Sequence, residues 1–73
     1  MMYSAEIEHS MRMFHASLSE KDRRRYAAIE AAKLGHGGVE YIARVLACDP
    51  KTIRHGLRDL EAAEDKAVWK SLV

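Results

Sequence analysis

Residues 38–60 read GVEYIARVLACDPKTIRHGLRDL, and the helical pattern of the sequence is clearest there. Its first half carries small and apolar residues at helical spacing, namely Val39, Ile42, Ala43 and Leu46. That spacing predicts a helix with one inward apolar face. The dipeptide Asp49-Pro50 then predicts the start of another helix, because aspartate caps free amides and proline fits the first turn. We therefore expect two helices joined by a short turn.

The spacing within this stretch is typical of a helix-turn-helix motif, in which two helices cross steeply about a tight turn. The crossing needs a small residue on the first helix, and Ala43 meets that need. Ile53 and Leu57 supply the aliphatic side chains that fix the second helix. Ala47 stands where glycine is common, so we expect Ala47 or Cys48 to adopt the turn conformation at a modest cost.

The rest of the chain predicts further helices around this motif. The expected elements are an N-terminal helix over residues 4–17, a second helix over 19–34, the helix-turn-helix over 38–62 and a C-terminal helical tail over 63–73. Ser19 would cap the second helix and Gly35 would end it. Gly56, in mid-helix, would let its helix lie close to another helix or to DNA. The sequence therefore predicts a single all-α domain, a homeodomain-like helical bundle of four to five helices.

Length and composition restrict the class of protein. A chain of 73 residues, 48% hydrophobic and 32% charged, fits one small folded domain. Domains of this size are marginally stable, and a homodimer is one expected remedy. Cys48 is the single cysteine, so no internal disulfide can form, and we expect a reducing, cytoplasmic location. Neither a signal-peptide pattern nor an apolar run of membrane-spanning length is visible, so no membrane partner is expected.

Basic residues cluster in the predicted second helix of the motif, although the net charge of the chain is only +1. The cationic or polar side chains expected to face DNA there are Lys51, Thr52, Arg54, His55 and Arg58. Arginine and lysine can donate to guanine in the major groove, whereas Thr52 and the free amides of the helix start suit phosphate. We expect Arg54 and Lys51 to contact bases, followed by Arg58 and His55. A solvated charged face is the alternative interpretation.

Arg23 and Arg24 are weaker candidates for phosphate contact. The alternative, a solvated helix face whose arginine stems cover apolar surface, is at least as well supported. The sequence contains no metal-ligand spacing, paired carboxylates, nucleophile–base set or glycine-rich phosphate loop after a strand. We therefore expect no catalytic residues, no metal, no cofactor and no small-molecule substrate.

The N-terminal helix carries an apolar stripe, formed by Ile7, Met11 and Phe14 at helical spacing. Met2, Met11, Met13 and Phe14 are expected in the core or in a dimer interface. Near the other end of the sequence, Trp69 is expected to pack on the bundle or on a second subunit.

Three blocks of the sequence carry a resemblance to a known family. They are LSEKDRRRYAAIEA (residues 18–31), LGHGGV followed by IAR (34–39 and 42–44), and KTIRHGLRDLE (51–61). In order and spacing, these blocks resemble the N-terminal region of the Rhodopirellula-type family of bacterial DDE insertion-sequence transposases. The resemblance covers about Met11 to Glu61. It implies a helical region that recognises the terminal inverted repeats of the element, and it implies DNA contact by Lys51, Thr52, Arg54, His55 and Arg58.

The sequence departs from that family after Glu61. A basic glycine-rich linker and a DDE catalytic domain would follow there, whereas this chain has the acidic-to-apolar segment Glu64–Val73. Nuclease and strand-transfer activity are therefore not expected. Three functions stay open. The first is sequence-specific binding of double-stranded DNA, as the DNA-binding part or remnant of a transposase. The second is dimerisation without functional DNA binding, through Met11, Phe14, Trp69 and Leu72, and the third is a stand-alone transcriptional regulator.

Overall fold

Four α-helices form the part of the chain that the computed structural model describes, residues 2–62. They are α1 (Ala5–Ser17), α2 (Glu20–Leu34), α3 (Gly38–Leu46) and α4 (Pro50–Ala62), and no strand occurs within these residues. The prediction of an all-α fold is confirmed. The C-terminal helical tail expected over residues 63–73, and with it Trp69, lies outside the described residues.

Side-chain caps begin three of the four helices. The Ser4 hydroxyl accepts a hydrogen bond from the Ile7 amide, and the Ser19 hydroxyl accepts one from the Asp22 amide, each at 3.2 Å. At α4 the Asp49 carboxylate accepts a bond from the Lys51 amide at 2.8 Å. These bonds satisfy amides that a helix start leaves unpaired, which confirms Ser19 and Asp49 as capping residues.

A tight turn joins α3 to α4. Ala47 adopts the left-handed conformation (φ 55°, ψ 47°), as was expected for Ala47 or Cys48. The Cys48 amide donates to the Ala43 carbonyl at 3.0 Å and the Ala47 amide to the Arg44 carbonyl at 3.4 Å. This is the Schellman pattern, in which glycine is the usual left-handed residue. The turn lets α4 begin at once, with Pro50 as its first residue.

Small residues on α2 allow α3 and α4 to pack closely against it. The buried face of α2 consists of Ala27, Ala28 and Ala31. A Cβ atom on Gly56 would lie 2.9 Å from the Arg24 carbonyl oxygen and 3.1 Å from Ala28 Cβ. Gly56 therefore serves the approach of α4 to another helix, one of the two roles expected of it.

α2 and α4 run in the same direction. Thr52 borders the same groove as Glu20, Gly56 contacts Ala28, and further along α4 Leu60 packs beside Ala28 and Ala32. Because the residue numbers rise together on both helices, the first turns of α2 and α4 lie side by side.

The apolar stripe of α1 is only partly buried. Met11 is 7% exposed and belongs to the core, whereas Ile7 and Phe14 are 50% and 52% exposed. Met2 and Met13 are also exposed. Of the four side chains expected in the core or in a dimer interface, the structure places Met11 in the core and leaves Met2, Met13 and Phe14 exposed. Their use in a dimer interface stays a prediction.

Candidate nucleic-acid interface

The outward face of α4 follows from the residues that the helix buries. Ile53, Gly56 and Leu60 are buried. Since each residue turns the helix by about 100°, the opposite side centres on three exposed residues, Lys51, His55 and Arg58. Among residues 2–62, no hydrogen bond or ion pair engages these three side chains. Three of the predicted DNA-contacting residues thus lie together on one solvent-facing strip.

A groove of about 420 Å³ lies beside this strip, between the first turns of α2 and α4. Its lining residues are Glu20, Arg24, Lys51, Thr52, His55 and Arg58. One carboxylate faces three permanently charged cations, so the groove has a net positive charge. Five of the predicted contact residues line it, and Glu20 is a member that sequence reasoning missed.

Arg54 lies at the edge of the outward strip and has a protein partner. Its Nη2 donates to Glu40 Oε2 of α3 at 2.7 Å, and the two side chains are 50% and 62% exposed. Arg54 and Lys51 were the leading candidates for base contact, and the structure places Arg54 in an ion pair. Sequence spacing does not reveal this pair, because its members are 14 residues apart on different helices.

Arg24 is held against α4. Its Nε lies 3.4 Å from Asp59 Oδ2, and this nitrogen is buried without a hydrogen-bond partner among the described residues. The two groups therefore attract as charges without the geometry of a hydrogen bond. Arg24 remains about one-third exposed, and it lines the groove.

Arg23 contacts the last turn of α1 rather than α4. Its Nε donates to the His15 carbonyl at 3.1 Å and its Nη2 to the Ala16 carbonyl at 2.9 Å. Both carbonyls belong to the last turn of α1, where the Leu18 amide also donates to the His15 carbonyl at 3.2 Å. Arg23 therefore ties the end of α1 to α2. Arg23 lines a smaller recess of about 220 Å³ rather than the groove beside α4. Its predicted role in phosphate contact therefore competes with a structural role that sequence reasoning missed.

Three further observations concern metal binding, the Cys48 thiol and membrane crossing. Among the described residues, no group of three or more His, Cys, Asp or Glu side chains could hold a metal ion. Burial, and then the charge of Asp49, raises the pKa of the Cys48 thiol, so its reactive thiolate is scarce at neutral pH. None of the helices within residues 2–62 combines the length and the apolar character that crossing a bilayer requires.

Comparison with known proteins finds no matching family model, curated protein or solved structure.

Proposed function

We propose that α3 and α4 form a helix-turn-helix and that α4 binds double-stranded DNA sequence-specifically. The observation that carries this proposal is the outward strip of α4, where Lys51, His55 and Arg58 have no partner among residues 2–62. A solvated strip of this kind can enter the major groove without breaking any contact of the fold. Arginine and lysine there can donate to guanine O6 and N7.

The connection between the two helices supports the motif. Three residues, Ala47 to Asp49, separate α3 from α4, and Ala43 is buried where a small residue is needed at the crossing. Ile53 lies on the inward face of α4 and is fully buried. The recognition helix would therefore rest on a packed core with its polar side towards the ligand.

The groove between α2 and α4 supports a second set of contacts, to the DNA backbone. Arg24, Lys51 and Arg58 line it, and the Thr52 hydroxyl can donate to a phosphate oxygen. Contacts of this kind carry no sequence information, but they fix the position of the helix on the duplex. We propose that Arg24 and Thr52 contact phosphate in this groove, and that Lys51, Arg54, His55 and Arg58 face the bases.

We further propose that this DNA-binding unit is the DNA-binding part, or a remnant, of a transposase. The three sequence blocks that resemble the Rhodopirellula-type family span α2, α3 and α4, and they include every groove residue. Terminal inverted repeats would then be the target.

Fluorescence anisotropy with labelled duplexes at several salt concentrations tests DNA binding. The duplexes are first selected from a random pool, because the target sequence is unknown. We expect affinity to fall steeply with salt. Lys51→Ala should weaken binding to the selected duplex by about 1–3 kcal/mol, as the loss of a base contact does. Arg58→Ala should weaken binding in the same assay.

Lys33→Ala is the matched control. It removes the same charge near the far end of α2, where Lys33 pairs with Glu30 at 3.5 Å. This variant should bind like the wild type. Binding that is absent, or that is insensitive to salt, would refute the proposal, and an equal loss with Lys33→Ala would show that only total charge matters.

Self-association is a second candidate function, favoured by the exposed apolar residues of the N-terminal region, Met2, Ile7, Met13 and Phe14. A second copy of the chain could cover them. Light scattering should then give twice the monomer mass, and Ile7→Ser with Phe14→Ser should return the monomer. A strict monomer at high concentration would exclude this function.

A further inference from the structure

Glu40 forms an ion pair at the edge of the proposed DNA-binding face. It lies in the first turn of α3, and its carboxylate accepts a hydrogen bond from Arg54 of α4 at 2.7 Å. Both side chains are at least half exposed, and ion pairs of such exposure add little to stability. The main physical effects of Glu40 are therefore on the position of Arg54 and on the charge beside the outward strip.

The pair leaves Arg54 able to bind a base. A guanidinium has five N–H donors in a fixed plane, so donors remain after one bond to Glu40. Two of them can reach guanine O6 and N7. Since the side chain is already held, less rotational freedom is lost when it binds a base.

The same carboxylate opposes a different use of Arg54. A phosphate that approached the guanidinium would come close to the negative charge of Glu40 and would be repelled. A free arginine at this position could instead swing to the backbone, where every sequence offers the same phosphates.

We propose that Glu40 is a positioning residue that sets the sequence specificity of DNA binding by holding Arg54 towards guanine and away from phosphate. This inference rests on the proposed function. It predicts that loss of Glu40 turns a selective protein into one that binds DNA more tightly but with less discrimination.

The test measures anisotropy with two labelled duplexes of equal length, the one that the wild type selects from a random pool and its scrambled sequence. With Glu40→Ala, the ratio of the two affinities should fall about tenfold, within the range that one bidentate arginine contact provides. Binding to the scrambled duplex should become tighter, with a salt slope steeper by about 0.9 for the added phosphate contact.

Two further variants separate charge from position. Glu40→Gln keeps an oxygen that can accept from Arg54, so it should restore part of the ratio while scrambled binding stays tighter than in the wild type. Glu6→Ala removes an exposed acid from the first turn of α1, as Glu40→Ala does from the first turn of α3. It should leave the ratio unchanged. Urea denaturation should give similar midpoints for all variants, so the ratio change would not reflect unfolding.

The outcomes are distinguishable. If Glu40→Ala tightens binding to both duplexes by the same factor, the affinity ratio does not change. Glu40 then only lowers the positive charge of the DNA-binding face, and the inference is wrong. The inference also fails if neither affinity changes, while the proposed function stands in both cases. If the wild type binds no duplex, the proposed function fails and the inference fails with it.

Discussion

Ala47 holds a backbone conformation that suits glycine better. At φ 55° and ψ 47° its Cβ crowds the following carbonyl oxygen, which costs roughly 1–2 kcal/mol. We expect Ala47→Gly to stabilise the protein by about 0.5–1 kcal/mol, because the added freedom of glycine in the unfolded chain offsets part of the gain. Urea denaturation followed by circular dichroism measures this change.

Ala32→Gly provides the comparison for that experiment. Ala32 lies within α2 in ordinary helical conformation, so glycine there should cost about 1 kcal/mol. The two identical substitutions are thus expected to have opposite signs. Loss of stability with Ala47→Gly would contradict the left-handed turn between α3 and α4.

Gly56 is required by the contact between α2 and α4. Alanine is favoured over glycine in a helix by about 1 kcal/mol, but its Cβ would lie 2.9 Å from the Arg24 carbonyl oxygen. A backbone atom cannot move as cheaply as a side-chain tip, and overpacking typically costs about 1–3 kcal/mol. We therefore expect Gly56→Ala to lower the free energy of unfolding by about 1 kcal/mol.

Alanine at Gly38 and alanine at Gly56 should lower the stability of the protein by different amounts. A Cβ at Gly38 would lie only 2.3 Å from the Ala31 carbonyl oxygen, so Gly38→Ala should be the more destabilising of the two. Thermal or urea unfolding of both variants tests this order. An increase in stability with Gly56→Ala would mean that the two helices are not in such close contact.

At the scale of the element, Arg23 connects the end of α1 to the start of α2. Because its two bonds to the His15 and Ala16 carbonyls are exposed, we expect Arg23→Ala to cost about 0.5–1 kcal/mol. Amide hydrogen exchange should accelerate in the last turn of α1. Lysine should restore the loss only in part, because it lacks the planar fork of arginine.

Arg25→Ala is the control for Arg23. Arg25 is exposed on the same helix and forms no hydrogen bond or ion pair within the described part of the chain. Its loss should leave both stability and exchange unchanged. If Arg23→Ala instead weakens DNA binding with no effect on α1, the predicted phosphate contact of Arg23 would be favoured over its structural role.

Local signals explain why the helices could be predicted. Ser19, Gly35 and Asp49 act on amides and carbonyls a few residues away, so sequence alone reveals them. The neighbours of a helix face are set by the whole bundle instead. The spacing of Ile7 and Phe14 shows that they share a face, but not that this face looks outward.

The candidate site could be predicted to a similar extent. The positions that α4 turns outward follow from the buried Ile53 and from helical periodicity. The partner of Arg54 depends on how α3 and α4 cross, which spacing does not give. Sequence therefore identified the candidate residues but not which cations are already paired.

At the scale of the whole molecule, His15 links stability to pH. Burial, and to a smaller extent the charge of Arg23, lowers the pKa of His15 from its ordinary value of 6.5. The unfolded chain then binds a proton more readily than the native protein does. This contribution to stability is fully present above pH 6.5 and is lost as the pH falls through the lowered pKa.

We therefore expect a lower urea midpoint at about pH 5.5 than at about pH 7.5, a range chosen to stay above the ordinary pKa values of carboxyl groups. His15→Gln should reduce the difference between the two midpoints. If the variant keeps the full difference, another group is responsible for it.

Because α2 and α4 are parallel, the stability of the folded protein and its affinity for an anion oppose each other at their adjacent N-termini. Two adjacent helix starts bring the positive ends of two macrodipoles together. The chain provides its own counter-charges there, Glu20 and Asp22 in the first turn of α2 and Asp49 at the cap of α4. Each of these carboxylates stabilises a helix N-terminus and also repels an approaching phosphate. A substitution that adds negative charge there would thus raise the stability of the domain and lower its affinity for a polyanion. A bound polyanion would itself stabilise the two helix N-termini.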